Sequence, residues 1–159
     1  MSRPLPLLAC ALLLLAPSAV FGAPKGDFDR VVAFDITLKS LAAAASDGAP
    51  LPTRVIILDG TVSDVNIVDK NVDSYRVRIQ MIAGEWLGLE DVKSYTCYVD
   101  FSGSQYASVF PVRPPAAAKP GVVTLNSRVL VVGRPVSIVT SPDGTPTVLV
   151  EGMHVRTLE

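Results

Sequence analysis

From residue 53 onward the apolar residues of this chain recur at every second position, and that period constrains the fold more than any other feature. Tyr75, Val77, Ile79 and Met81 fall on one side of a segment whose other side is Arg76, Arg78 and Gln80. Such alternation is what a strand with one buried and one solvated face requires. A second alternation follows, with Tyr95, Cys97, Val99 and Phe101 opposed to Ser94, Thr96, Tyr98 and Asp100. Before them lies a long β-rich stretch, residues 54–68, with Gly60 near its middle, where a bulge or strong bend is expected. Two further strands close the chain. Residues 128–140 carry Val129 to Gly133, residues 146–158 carry Val148 to Val150, and Ser141-Pro142-Asp143-Gly144 between them is a strong turn signal. The remaining strand connections are a polar turn at Asp69-Lys70-Asn71 and a loop over residues 84–88 that contains Trp86.

The non-strand segments are fewer. Residues 105–110 suit a short helix pairing Tyr106 with Phe110, ended by Pro111. Residues 111–120, with Pro114-Pro115, read as an extended loop of polyproline character. In residues 27–46, Phe28, Val31, Val32, Asp35, Leu38, Leu41 and Ala42 approximate helical spacing, Asp27 is placed to cap, and the alanine run 42–45 favours helix. Ile36-Thr37 argues for extended chain, so a helical or extended arm is expected. Residues 47–52 form a linker.

The first two dozen residues have another character. Arg3 precedes an apolar run over residues 7–15, then Pro17 and small residues up to Gly22, the order of a secretory signal peptide. The run is shorter than the about 20 residues a spanning helix needs. Cleavage after Gly22 is expected, with retention as an anchor or acylation at Cys10 as alternatives, and no transmembrane helix would then remain. The expected organisation is a signal peptide (1–22), an arm and linker (23–52) and a β domain (53–159), secreted or periplasmic.

Charge and cysteine bound the chemistry. The chain has 14 basic and 15 acidic residues. Losing Arg3 leaves 13 against 15, without the basic excess that non-specific nucleic-acid binders usually show. Of two cysteines only Cys97 survives cleavage, so no internal disulfide is available and a small buried hydrophobe on a strand is expected; an intermolecular bridge or a reactive thiol are the alternatives. One Cys and the single His154 cannot make a structural zinc site, and the Asp64, Asn66, Asp69, Asn71, Asp73 cluster lacks the glycine and terminal Glu of a calcium loop. No nucleophile elbow, phosphate loop or HExxH occurs, so neither catalysis nor a cofactor nor a metal is expected.

Five strands with a helical interruption between the third and fourth, and with Gly60, Gly133 and Gly152 where the chain must coil, match a mainly β, five-stranded Greek-key barrel. A β-sandwich would want about seven strands. Val55-Ile56-Ile57-Leu58-Asp59-Gly60-Thr61-Val62 and Val129-Leu130-Val131-Val132-Gly133-Arg134-Pro135-Val136 resemble the OB-fold superfamily, a likeness covering residues 53–158. The resemblance implies ligand binding on the face of the second and third barrel strands, flanked by loops near Lys70 and Asp143. That face would carry Arg76, Arg78, Thr96 and Tyr98. Two guanidiniums beside a phenol suit a phosphate, a carboxylate or a stacked ring, and also suit a merely solvated sheet. Trp86 is a loop anchor or, as the reading taken first, a cap over the barrel end with Leu87 and Leu89. Pro111, Arg113, Pro114 and Pro115 are a docking segment or a rigid crossover. The expected function is non-catalytic binding in the cell envelope, of a small anionic or saccharide ligand or a protein partner. Single-stranded nucleic acid is the alternative, with nucleic acid held an unlikely partner on charge.

Overall fold

The computed structural model describes residues 29–117 and 119–158. The signal pattern, its cleavage point, Cys10 and the Asp27 cap lie outside the described residues. Residues 29–31 are helical, and after them, among the described residues, come β1 (Val32–Ala33), α1 (Leu38–Asp47), β2 (Val55–Asp69), β3 (Arg76–Trp86), β4 (Val92–Ser102), β5 (Arg128–Thr140) and β6 (Pro146–Thr157). A 3₁₀ turn, Ser104–Ala107, sits between β4 and β5.

The period-two pattern folds as read. Val77, Ile79 and Met81 of β3 and Cys97, Val99 and Phe101 of β4 are fully buried, and their alternates face out. β2 pairs antiparallel with β3 at one end and with β5 at the other, β3 pairs with β4, and β5 with β6. A parallel pairing of β4 with β6 over Cys97↔Val148 to Asp100↔Glu151 closes the ring. The ring β2-β3-β4-β6-β5 is the five-stranded Greek-key barrel of the OB fold. Its interior is one apolar cluster, and each fully buried Ile, Leu or Phe there contributes roughly 1.5–3 kcal/mol.

Both barrel ends are plugged. α1 covers the end where Met81 and Cys97 lie, burying Leu38, Leu41 and Ala45. Thr37 is its N-cap in a box with Ser40, and Gly48 ends it at φ +63°, bonding back to the Ala44 carbonyl. At the other end the 3₁₀ turn delivers Tyr106, and Phe110 follows. Both pack on Phe101 with ring centroids at 4.9 and 5.2 Å, and the buried Tyr75 hydroxyl donates to the Phe110 carbonyl.

Several expectations are corrected here. The arm is helical and extended in turn: residues 32–33 pair parallel with Val55 and Ile56, and α1 begins only after the capping box at Thr37. Gly60 is no bulge, since pairing with β5 runs unbroken from Ile56 to Thr61. Its missing side chain makes room for α1: a Cβ would meet Leu38 Cδ1 at 3.0 Å and the Ile82 carbonyl at 3.1 Å. The register shifts fall beyond it, between Val62 and Asp64 and between Ile67 and Asp69. Gly133 and Gly152 sit where β5 and β6 skip a residue. A Cβ on Gly133 would lie 2.6 Å from the Glu151 carbonyl. The helical interruption between β4 and β5 is a single 3₁₀ turn, Ser104–Ala107, rather than a helix over residues 105–110.

Candidate functional site

The outward face of β2, β3 and β4 is built by register. Arg78 stands opposite Asp100 on β4 and Asn66 on β2, while Gln80 stands opposite Tyr98 and Asp64. The Arg78 guanidinium grips the Asp100 carboxylate through both arms, Nε to Oδ1 at 2.6 Å and Nη2 to Oδ2 at 2.8 Å. Asp100 thereby raises the guanidinium pKa above its ordinary value. The same guanidinium lies over the Tyr98 ring, 5.9 Å from its centroid. The ring and the guanidinium are both half-buried on an otherwise open sheet. The Ser63 hydroxyl, turned outward by the shift after Val62, donates to Gln80 Oε1 at 3.1 Å and steadies that side chain.

Arg76 opens β3, exposed, opposite Ser102 and beside Asp69. The loop before it is ordered by Asp69, which accepts from the Ser74 hydroxyl at 2.7 Å and the Asn71 amide at 2.9 Å. Those bonds, Ser74 first, hold the Asp69 carboxyl below its ordinary pKa, with Arg76 helping. Thr96 lies at the far end of the face, half-buried opposite Ile82. β6 joins β4 at Val148, opposite Cys97, so the Ser141–Thr145 turn lies at this same end. The face therefore does bring Arg76, Arg78, Thr96 and Tyr98 together between the two loops. What the alternation did not show is that Asp100 occupies one of the two guanidiniums. Both residues were legible as outward-facing; their pairing is a matter of register.

The other candidates lie elsewhere. Trp86 ends β3 opposite Val92, in a hairpin closed by the Leu87 amide on the Asp91 carbonyl. It is 72% exposed and Leu89 is 99% exposed, so the expected cap over the barrel end is corrected: β3 and β4 run on past the barrel and carry the tip into solvent, while α1 does the capping. Val112, Arg113, Pro114 and Pro115 are exposed along the crossover to β5, and Pro111 is half-buried at its start. Cys97 points into the core, where burial pushes its thiol up to about 12.

Three well-formed cavities lie among the described residues, and none of the three is lined by Arg76, Arg78, Thr96 or Tyr98. One of about 390 Å³ lies under the N-terminal arm between Phe34, Leu38, Ile57 and Tyr95. At its rim the Glu85 carboxylate takes the Lys39 ammonium at 2.8 Å and the Tyr95 hydroxyl at 2.6 Å, and both hold it below its ordinary pKa. The other two adjoin Pro120 and the end of β6. Among the described residues no helix is long and apolar enough to cross a membrane, which says nothing of strands.

No protein-family model and no curated protein matches the chain. Among solved structures it is similar to a small single-stranded DNA-binding protein from Streptomyces coelicolor, at 17% identity over 68% of this chain and 94% of that one, TM-score 0.42. It is also similar to the Plasmodium falciparum SSB in complex with ssDNA, at 13% identity over 66% and 94%, TM-score 0.42. Against these structures, the expected envelope module for a small anionic or saccharide ligand or a protein partner is corrected, and so is the expectation that nucleic acid is an unlikely partner. The physical reasons are two. A small ligand wants an enclosing pocket, and this face is an open platform. Net charge is a sum over the whole chain and does not report where the basic groups gather.

Proposed function

We propose that the barrel is a non-catalytic binder of single-stranded nucleic acid, with bases stacking on the outward face of β3 and β4. The observation that carries this reading is the Tyr98–Arg78–Asp100 arrangement. Asp100 holds the guanidinium through two hydrogen bonds, with its carbon 5.9 Å from the Tyr98 ring centroid, so that an anchored guanidinium and an aromatic ring stand together, half-buried, on the outward face. Bases stack on aromatic rings and guanidinium planes without regard to sequence, each worth about 1–3 kcal/mol. Because Asp100 neutralises Arg78, this platform contributes stacking more than phosphate neutralisation. Neither the single His nor Cys97 lies on it. The leader pattern of residues 1–22 supports export of the chain, which N-terminal sequencing of the protein recovered from expressing cells would check.

The test is a fluorescence titration with an unstructured oligonucleotide, repeated with the Tyr98→Ala variant and with a duplex of equal length. Loss of one stacked base predicts affinity weaker by about 5- to 150-fold in the variant, from the same 1–3 kcal/mol, and little binding of the duplex. An oligonucleotide affinity unmoved by Tyr98→Ala would sink the reading.

A further inference from the structure

The platform leaves the phosphates of a bound strand unaccounted for, and the rest of the molecule offers a surface for them. The two cavities at Pro120, about 560 and 310 Å³, share Pro120, Thr157 and Leu158, so they form one groove running to both sides of that proline. Its ionisable lining residues among those described are Lys119, Arg128, His154 and Arg156, with no carboxylate. That is an unusual concentration in a chain of net charge −1.

Both walls are built by backbone bonds rather than left to chance. Lys119-Pro120-Gly121-Val122 is a tight turn closed by the Val122 amide on the Lys119 carbonyl at 3.1 Å, with Gly121 at φ +77°. Proline second and a left-handed glycine third are what such a turn demands. The turn is tied to the barrel by the Val123 amide on the Val109 carbonyl at 2.8 Å, and Val123 is buried. The opposite wall is the end of β6, held by the Leu158 amide on the Arg128 carbonyl at 2.8 Å. There His154 and Arg156 stand opposite Val132 and Leu130 of β5. Arg128 is engaged by Asp59 at 2.6 Å, which leaves Lys119 and Arg156 as the lining cations outside any ion pair among the described residues. β6 leaves β4 after Glu151 and from there pairs only with β5, which puts the groove away from the Tyr98 platform.

We propose that this groove is a second contact surface, taking the phosphodiester backbone of the strand whose bases stack on Tyr98. The proposal rests on the nucleic-acid reading above. It divides the work between the two surfaces: stacking on one, neutralisation on the other.

The experiment measures oligonucleotide affinity across a salt series for the full chain, for Lys119→Gln with Arg156→Gln, and for Tyr98→Ala. Each phosphate contact on a single strand contributes about 0.7 to the slope of log K against log salt. The double variant should therefore lose about 1.4 of slope, while Tyr98→Ala weakens binding with its slope kept. An unchanged slope in the double variant overturns the groove, whatever Tyr98→Ala does. A lowered slope with Tyr98→Ala silent sinks the platform reading and with it the division of work between the two surfaces. A parallel NMR titration with inorganic pyrophosphate follows the amides of Gly121 and Arg156. Shifts there together with the lowered slope support the proposal. Shifts there with the slope unchanged describe an isolated anion site and overturn it, as does a full chain that binds no oligonucleotide.

Discussion

Replacing Gly152 by alanine tests the packing that closes the barrel. Gly152 lies where β5 and β6 skip a residue, close against the Phe101 ring. A Cβ built there would stand 2.5 Å from Phe101 Cδ1 and 2.7 Å from Cζ. Carbon atoms in contact prefer about 3.5–4.0 Å, so the ring would have to retreat by roughly 1 Å. It has nowhere to go, being fully buried and boxed in by Tyr106 and Phe110. Forced overpacking of this kind costs about 1–3 kcal/mol. With a urea m-value of about 2 kcal/mol/M, a loss of about 2 kcal/mol lowers the unfolding midpoint by about 1 M. Gly144→Ala is the control: its Cβ would meet nothing within 4 Å, and only its φ of +84° opposes the change, at about 1 kcal/mol. Phe101→Leu combined with Gly152→Ala should restore part of the loss, a coupling of about 0.5–3 kcal/mol. A Gly152→Ala midpoint equal to that of the parent, or strict additivity in the double variant, would refute the argument.

The thiol of Cys97, pushed up to about 12 by burial, should stay unreactive towards a disulfide reagent at pH 8 and label only as the chain unfolds in urea; rapid labelling of the folded protein would contradict its placement. Asp69 should titrate below its ordinary 3.8, so that its contribution to the loop is present above that value and fades as pH falls through the lowered one. Ser74→Ala should move its NMR midpoint back up, and an unmoved midpoint would mean that the Ser74 bond is not formed. Asp100→Asn frees the Arg78 guanidinium to meet a phosphate, which should add about 0.7 to the salt slope of oligonucleotide binding; an unchanged slope would show Arg78 still engaged.

Much of the site was legible before any coordinates. Arg76, Arg78, Thr96 and Tyr98 share a face because side chains of a strand alternate, and alternation is a local property. Their electrostatics were not legible. Whether Arg78 meets Asp100 or Ser102 depends on the β3–β4 register, which is set by how the hairpin at residues 87–91 closes and not by the alternation itself. The basic groove was hidden for the same reason. Lys119 and Arg156 are far apart in the chain, and only the Pro120 turn docking beside the end of β6 makes them neighbours.

Local periodicity and turn chemistry by themselves determined the five barrel strands, their inward and outward faces and the turn at Ser141–Thr145, because each depends on residues within a few positions of one another. Tertiary structure alone decided which element plugs which end of the barrel, why Gly60 and Gly152 must lack side chains, and where charge collects. Those features depend on contacts between segments remote in sequence, and remote contacts are chosen by how the whole barrel closes.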